Sequence, residues 1–195
     1  MGEAARRTGH ATFDDIAHLG EDARVEIIGG EIVPKDAAKH EHSAAQGGMT
    51  SQVWLPFSRL PGHGGPGGWW FGTEAEVEYE PHELYLHDVA GWRRERSPER
   101  PTGRPVRIAP DWVCEILSPS NWANDTVTKF ATMQRHAVPH YWILDVEHRI
   151  LTVYRWKDGA YVVAAHAQPG ERAALEPFDA VTVDVGVLFG DDPTE

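Results

Sequence analysis

A single mixed α/β domain with a strand-rich C-terminal half is the fold class this sequence predicts. Period-2 runs of hydrophobic residues recur from residue 24 to residue 188, which is the pattern of half-buried strands. Two stretches, 42–60 and 124–136, instead space their apolar residues as a helix does. With 195 residues, 41% of them hydrophobic and eight Trp among them, the chain can fill one core. The domain is expected over residues 11–190, behind a loose tail at 1–10.

Thr12 and Asp15 form a capping box for a short helix through Ile16 and Leu19, because hydroxyl and carboxylate satisfy free amides of the first turn. Two short strands, Arg24 to Ile28 and Glu31 to Val33, flank Gly29-Gly30, and both glycines tolerate the positive φ of a tight hairpin. Ala45, Met49, Val53 and Leu60 mark the first long helix, although Gly47-Gly48 and Pro56 weaken it. Pro61 to Gly68 is a loop, and without a following Gly-Lys-Ser/Thr it is no phosphate cradle. Glu74 to Tyr79 alternates acidic with apolar residues, and Leu84 to Val89 can return beside it with Asp88 near its end.

Asp111 to Leu117 reads as a strand with Val113, Glu115 and Leu117 on one face and Trp112, Cys114 and Ile116 on the other. Ser118-Pro119-Ser120 ends it. The helix after it, about Asn124 to His136, is expected to bury Val127, Phe130, Ala131 and Met133. Tyr141 to Leu144 is a short buried strand, Arg149 to Trp156 and Ala160 to Ala165 form a hairpin about Asp158-Gly159, and Val181 to Leu188 closes the chain. Trp142, Tyr154 and Trp156 belong to the core or to a dimer surface rather than to a base-stacking platform.

A formal charge of −12 argues against a protein that simply coats nucleic acid. One cysteine, Cys114, allows no internal disulfide, no CxxC pair is present, and the first residues lack the apolar core of a signal peptide. A reducing cytoplasm and no membrane span are therefore expected. Residues 93–107 depart from the acidic background, carrying Arg93, Arg94, Arg96, Arg100, Arg104 and Arg107 against Glu95 and Glu99. The segment is either a solvated insertion or a flap that faces phosphate.

The chemistry centres on Asp88, Glu115 and Lys129. Two carboxylates can hold a hard divalent cation, and a nearby lysine can hold a water or neutralise a phosphate. Asp125 and Lys129 are also spaced as an ordinary i,i+4 surface pair. Ser118 lacks a nucleophile elbow, and His40-Glu41-His42 lacks the third ligand that zinc needs.

Pro110-Asp111-Trp112-Val113-Cys114-Glu115-Ile116-Leu117-Ser118-Pro119-Ser120, then Asp125 and Lys129, then Val138-Pro139-His140-Tyr141-Trp142-Ile143-Leu144-Asp145, resembles the signature of the Uma-two family. That family comprises restriction-endonuclease-like proteins of the PD-(D/E)XK nuclease superfamily. The likeness extends to Val25-Glu26-Ile27-Ile28-Gly29-Gly30-Glu31-Ile32-Val33, to His42, and to Asp88-Val89-Ala90-Gly91-Trp92, spanning about residues 12 to 190. It implies a restriction-endonuclease-like mixed sheet flanked by helices, with Asp88 and Glu115 as metal-binding acids and Lys129 as a migrated catalytic lysine. Glu26 and His42 match family positions that support metal, water or phosphate. His87 stands where the family has proline, and Leu117 stands where the superfamily has lysine.

The function expected from this is Mg²⁺- or Mn²⁺-dependent endonucleolytic hydrolysis of DNA by a homodimer, with Arg93, Arg94 and Arg96 meeting phosphate. A catalytically inactive nuclease-fold module that binds nucleic acid or protein is the alternative, and a hydrolase of small phosphorylated substrates is a third.

Overall fold

The computed structural model describes residues 10–20, 23–117 and 124–194. The tail expected over residues 1–10 lies outside the described residues except for His10, and the Ser118-Pro119-Ser120 turn lies outside them altogether. The element order is α1 (Phe13–Ile16), β1 (Val25–Ile28), β2 (Glu31–Pro34), α2 (His40–Met49), a wider-turned continuation (Thr50–Trp54) and α3 (Leu55–Phe57). There follow β3 (Trp69–Glu80), β4 (Glu83–Arg93), β5 (Trp112–Leu117), a wide-turned segment (Asn124–Lys129), α4 (Phe130–Arg135), β6 (His140–Asp145), β7 (Ile150–Lys157) and β8 (Ala160–Ala167). The chain ends with β9 (Arg172–Ala173), β10 (Val183–Asp184) and a 3₁₀ turn at Gly186–Phe189.

Eight strands form one mixed sheet, ordered β2-β1-β4-β5-β6-β7-β8 with β3 also on β4. Among the described strands only β5 and β6 pair in parallel, and α4 lies in the crossover between them, as a parallel pair requires. The β5 alternation separates two cores. Trp112, Cys114 and Ile116 pack with Ala45, Met49 and Val53 of α2 and its continuation, whereas Val113 and Leu117 pack with Met133 of α4. A helix therefore covers each face.

Turn chemistry follows the local sequence. The capping box closes with the Thr12 amide donating to Asp15 Oδ2 at 2.9 Å. Gly29 and Gly30 both take positive φ in the β1–β2 hairpin. Gly48, which weakened the helix prediction, has a packing reason: a Cβ there would lie 2.1 Å from the Val187 carbonyl oxygen. The glycine lets the C-terminal turn press against α2.

Three expectations change. β4 runs on to Arg93, so Asp88 sits in mid-strand rather than near its end. Val127 is exposed and so is Ala131, while Asp125, Lys129, Thr132 and Met133 face inward. The inner side of this helical segment is polar because it closes over buried charge, so hydrophobic spacing misassigned it. Val181 to Leu188 is a two-residue strand followed by a 3₁₀ turn ended by Gly190 at φ +85°, not one strand. Trp142 is fully buried, and Trp156 is half-buried with its indole N–H donating to Gln134 O.

Candidate active site

A break in the hydrogen-bond ladder positions the site. β3 occupies one edge of β4 along most of its length, so β1 and β5 must share the other. β1 meets it only at Leu84, through Ile27, and β5 only at Val89 to Gly91, through Cys114 to Trp112. Between Leu84 and Val89 the edge has no strand partner among the described residues, and buried main-chain groups there need others. Side chains supply them. The Leu86 amide donates to Glu26 Oε1 at 3.0 Å, and Leu86 O accepts from Lys35 Nζ at 2.5 Å. Across the gap, the Ile116 amide donates to Asp88 Oδ2 at 2.7 Å.

These side chains form one buried ionic cluster. Lys35 Nζ lies 2.7 Å from Asp88 Oδ1 and 3.8 Å from Glu115 Oε2. Lys129 Nζ contacts Glu26 Oε1 at 2.8 Å, Asp125 Oδ1 at 2.9 Å and Glu115 Oε2 at 3.3 Å. His42 Nε2 approaches Asp88 Oδ1 at 3.3 Å. On its other oxygen Glu115 meets His87 Nδ1 at 2.5 Å, and His87 Nε2 meets the Tyr79 hydroxyl at 2.9 Å. A Tyr79 O–H donating to Nε2 leaves the Nδ1–H to donate to Glu115, so one tautomer satisfies the whole relay.

Burial and neighbours divide these groups. Burial pushes the Glu115 carboxyl up to about 7, against the pull of Lys129 and Lys35. Asp125 is likewise pushed up to about 7 by burial despite Lys129. Burial also works against ionised Asp88, but the Lys35 ammonium and the neighbouring His42 imidazole hold it well below the usual carboxylate range. Glu26 overcomes the same burial through Lys129 and Lys35 and is lowered. His87 falls to about 3 because burial and the two ammoniums disfavour its cation, so it is neutral. Lys129 overcomes burial through Asp125, Glu115 and Glu26 and stays protonated.

The structure thus brings together Glu26, His42, Asp88, Glu115 and Lys129. The Asp125–Lys129 pair is buried rather than superficial. Sequence reasoning missed Lys35, His87 as a partner of Glu115, and Glu74. Glu74 adopts φ +48°, a left-handed conformation that costs a non-glycine residue about 1–3 kcal/mol, at the register position facing Asp88. Its side chain accepts from Gln46 at 2.9 Å and pairs with Arg24 at 2.8 Å.

Two sets of donors suit a divalent cation, and Asp88 belongs to both. Asp88 and Glu115 reach toward one point beside the Leu86 carbonyl, giving hard oxygen donors. His42, Glu74 and Asp88 each offer an atom within 4.8 Å of the others. The imidazole in the second set suits manganese better than magnesium. A cavity of about 860 Å³, lined in part by Arg24, Trp70, Glu74, Leu86, Arg100 and Arg104, adjoins the cluster at Glu74 and Leu86.

Arg93, Arg94 and Arg96 lie at and beyond the end of β4. The Arg94 guanidinium stacks 3.5 Å above Trp70 and donates to Ser58 O and Trp69 O. Arg96 Nε donates to Asp111 Oδ1 at 2.8 Å, and Arg93 lies 4.6 Å over Trp69 with a 37% exposed side chain. Arg104 and Arg107 pair with Glu76 and Glu78 of β3.

Among the described residues no helix is long and apolar enough to cross a membrane. A comparison with curated proteins gives no match. Among solved structures the chain is similar to one from Anabaena variabilis ATCC 29413, described as a "putative nuclease belonging to DUF820". The two are 22% identical and superpose with a TM-score of 0.67, over 91% of this chain and 97% of the other, a likeness that establishes a shared fold. Residues 11–186 match the model of the Uma2 (Uma-two) family, whose description is "Putative restriction endonuclease". With nine-tenths of its length inside that match and the same fold in its structural neighbour, the chain belongs to the Uma2 family.

Proposed function

We propose that this protein is a Mg²⁺- or Mn²⁺-dependent endonuclease that hydrolyses DNA phosphodiester bonds. The observation that carries the reading is the ladder gap of β4, where Asp88 and Glu115 converge on one cationic position. When bound there, the metal would stabilise charge on the phosphate and lower the pKa of a coordinated water. Asp88 and Glu115 would hold it, and His42 and Glu74 could join them on the Asp88 side. Neutral His87 orients Glu115 by donating from Nδ1. Lys129, fully buried and protonated, serves as the charge partner of Glu26, Asp125 and Glu115 rather than as a base. His42, with a pKa raised by the adjacent Asp88 carboxylate despite burial, can hold a proton at the edge of the site.

The test is a plasmid and oligonucleotide cleavage screen with Mg²⁺ and Mn²⁺. Wild type should cut only with metal and Glu115→Ala should not cut; equal cleavage by both would end the reading. A catalytically inactive binding module is the second reading, favoured by the ammonium of Lys35 between the two acids. Such a module should show little of the RT ln(1 + [L]/Kd) stabilisation that a ligand of the native state confers.

DNA reaches an acidic protein through local cationic surface, and we assign that part to Arg93, Arg94 and Arg96. Each guanidinium has five donors, so those already stacked or bonded keep others for phosphate. Replacing all three should flatten the salt dependence of binding, by roughly 0.9 in log–log slope for each duplex phosphate that the variant no longer neutralises. Circular dichroism is needed alongside, since Arg94 and Arg96 also tie loops together. An unchanged slope in a folded variant would reassign these residues to structure alone.

Cutting both strands would call for two copies. Sedimentation at micromolar concentration should then give about twice 21.7 kDa, and a monomer at all concentrations would remove the homodimer from the proposal.

A further inference from the structure

Lys35 enters the cluster from an unusual direction. Its neighbours Pro34 and Asp36 to Glu41 are all exposed, yet its own side chain is only 3% exposed. The backbone is pinned by its amide, which donates to Arg24 O at 2.9 Å. With the backbone held there, release of the ammonium would have to come from rotation about the side-chain bonds toward the exposed run beside it. Lys129 instead projects from a helical segment, and among the described residues its ammonium meets Glu26, Asp125 and Glu115.

The polar contacts of Lys35 Nζ among the described residues are to oxygens: Leu86 O at 2.5 Å, Asp88 Oδ1 at 2.7 Å and Glu115 Oε2 at 3.8 Å. One carbonyl and two carboxylates are also what a hard divalent cation selects. An ion shared by Asp88 and Glu115 would take the space Nζ fills, and ammonium and metal would repel each other there.

We propose that Lys35 is a resident counter-cation holding the metal position between Asp88 and Glu115, and that a divalent cation binds by displacing its ammonium to solvent. The inference rests on the metal-binding part of the proposed function, not on DNA cleavage. Lys35 then sets metal occupancy: the apparent affinity is the intrinsic one multiplied by the fraction of molecules with Lys35 swung out. In the metal-free protein it also compensates the buried Asp88 carboxylate, beside the Lys129 that pairs with Glu115.

Amine acylation of the wild-type protein, read by peptide mass spectrometry with and without Mn²⁺, tests the displacement. Exposed Lys39 and Lys157 serve as internal references. Lys35 should be protected without metal and labelled several-fold faster at saturating Mn²⁺, while the references do not change. Binding of Mn²⁺ with Lys35 still protected would overturn the inference, and would place the ion toward His42 and Glu74. Lys35→Met supplies the second measurement. Its Mn²⁺ affinity should rise about tenfold or more if Lys35 occupies the site nine-tenths of the time. Unchanged or weaker binding by a folded variant would overturn the inference, as would a failure of both proteins to bind Mn²⁺. Cleavage enters neither readout. Mn²⁺ binding with Lys35 released but no DNA cut would reject the nuclease reading alone, whereas metal-dependent cutting with Lys35 protected would reject this inference alone.

Discussion

Glu115→Gln should abolish metal-dependent cleavage, by roughly 10²–10³-fold or more, and at the same time make the metal-free protein more stable at pH 8. The opposed effects have one cause. Glu115 is fully buried, and burial raises its folded pKa to about 7 from an ordinary 4.5. Between those values the folded state holds more protons than the unfolded state, so wild-type stability falls as pH rises from 4.5 through 7. A neutral amide avoids that loss. The gain should be about 1–3 kcal/mol at pH 8 and shrink toward zero near pH 4.5.

The relay permits the exchange. In Glu115→Gln the new side-chain amide could donate to His87 Nδ1 while His87 donates from Nε2 to the Tyr79 oxygen, leaving the amide carbonyl for the two lysines. Urea denaturation at pH 5 and pH 8 without metal reads the effect. A variant less stable than wild type at pH 8 would show that the Glu115 charge is a net stabiliser.

Lys129→Met should cost about 3–5 kcal/mol at pH 8, because it strands Glu26, Asp125 and Glu115 in a buried site around a lost cation. The loss should be smaller at pH 5.5. Asp125 and Glu115 already titrate near 7 in the folded state, and removing the cation beside them raises both further, so acid neutralises them. Adding Asp125→Asn should recover part of the loss at pH 8. Cleavage should fall with the single change even where the fold survives. Equal stability of Lys129→Met and wild type at pH 8 would mean that the carboxylates discharge without their partner.

Some of this was legible in the sequence and some could not be. The side-chain alternation of β5 correctly separated Glu115 from Cys114, since period 2 is a property of the strand itself. The hairpin at Gly29-Gly30 and the capping box at Thr12 are equally local. Hydrophobic spacing failed for the segment after β5, where the inward residues are Asp125, Lys129 and Thr132. Lys35 left no signal, because it lies in a polar, exposed run and its partners are more than fifty residues away in Asp88 and Leu86. Glu74 read as one of several alternating acids, and only the left-handed backbone at that residue distinguishes it. The family likeness supplied Glu26 and His42, whose convergence depends on which strands share an edge of β4.

That shared edge leaves a seam in the sheet. Most strands are zipped by their backbones, but between Leu84 and Val89 the closure of β4 is delegated to Glu26, Lys35 and Asp88. Ionic state and backbone protection are consequently the same variable at this place. Anything that recruits Glu26 or the Oδ2 oxygen of Asp88 to another task unfastens a main-chain hydrogen bond, so slow amide exchange at Leu86 and Ile116 would report on these two carboxylates without any substrate. The sheet gives up local cooperativity at its centre, and in exchange the carboxylates of Asp88 and Glu115 sit just where the β4–β5 ladder ends.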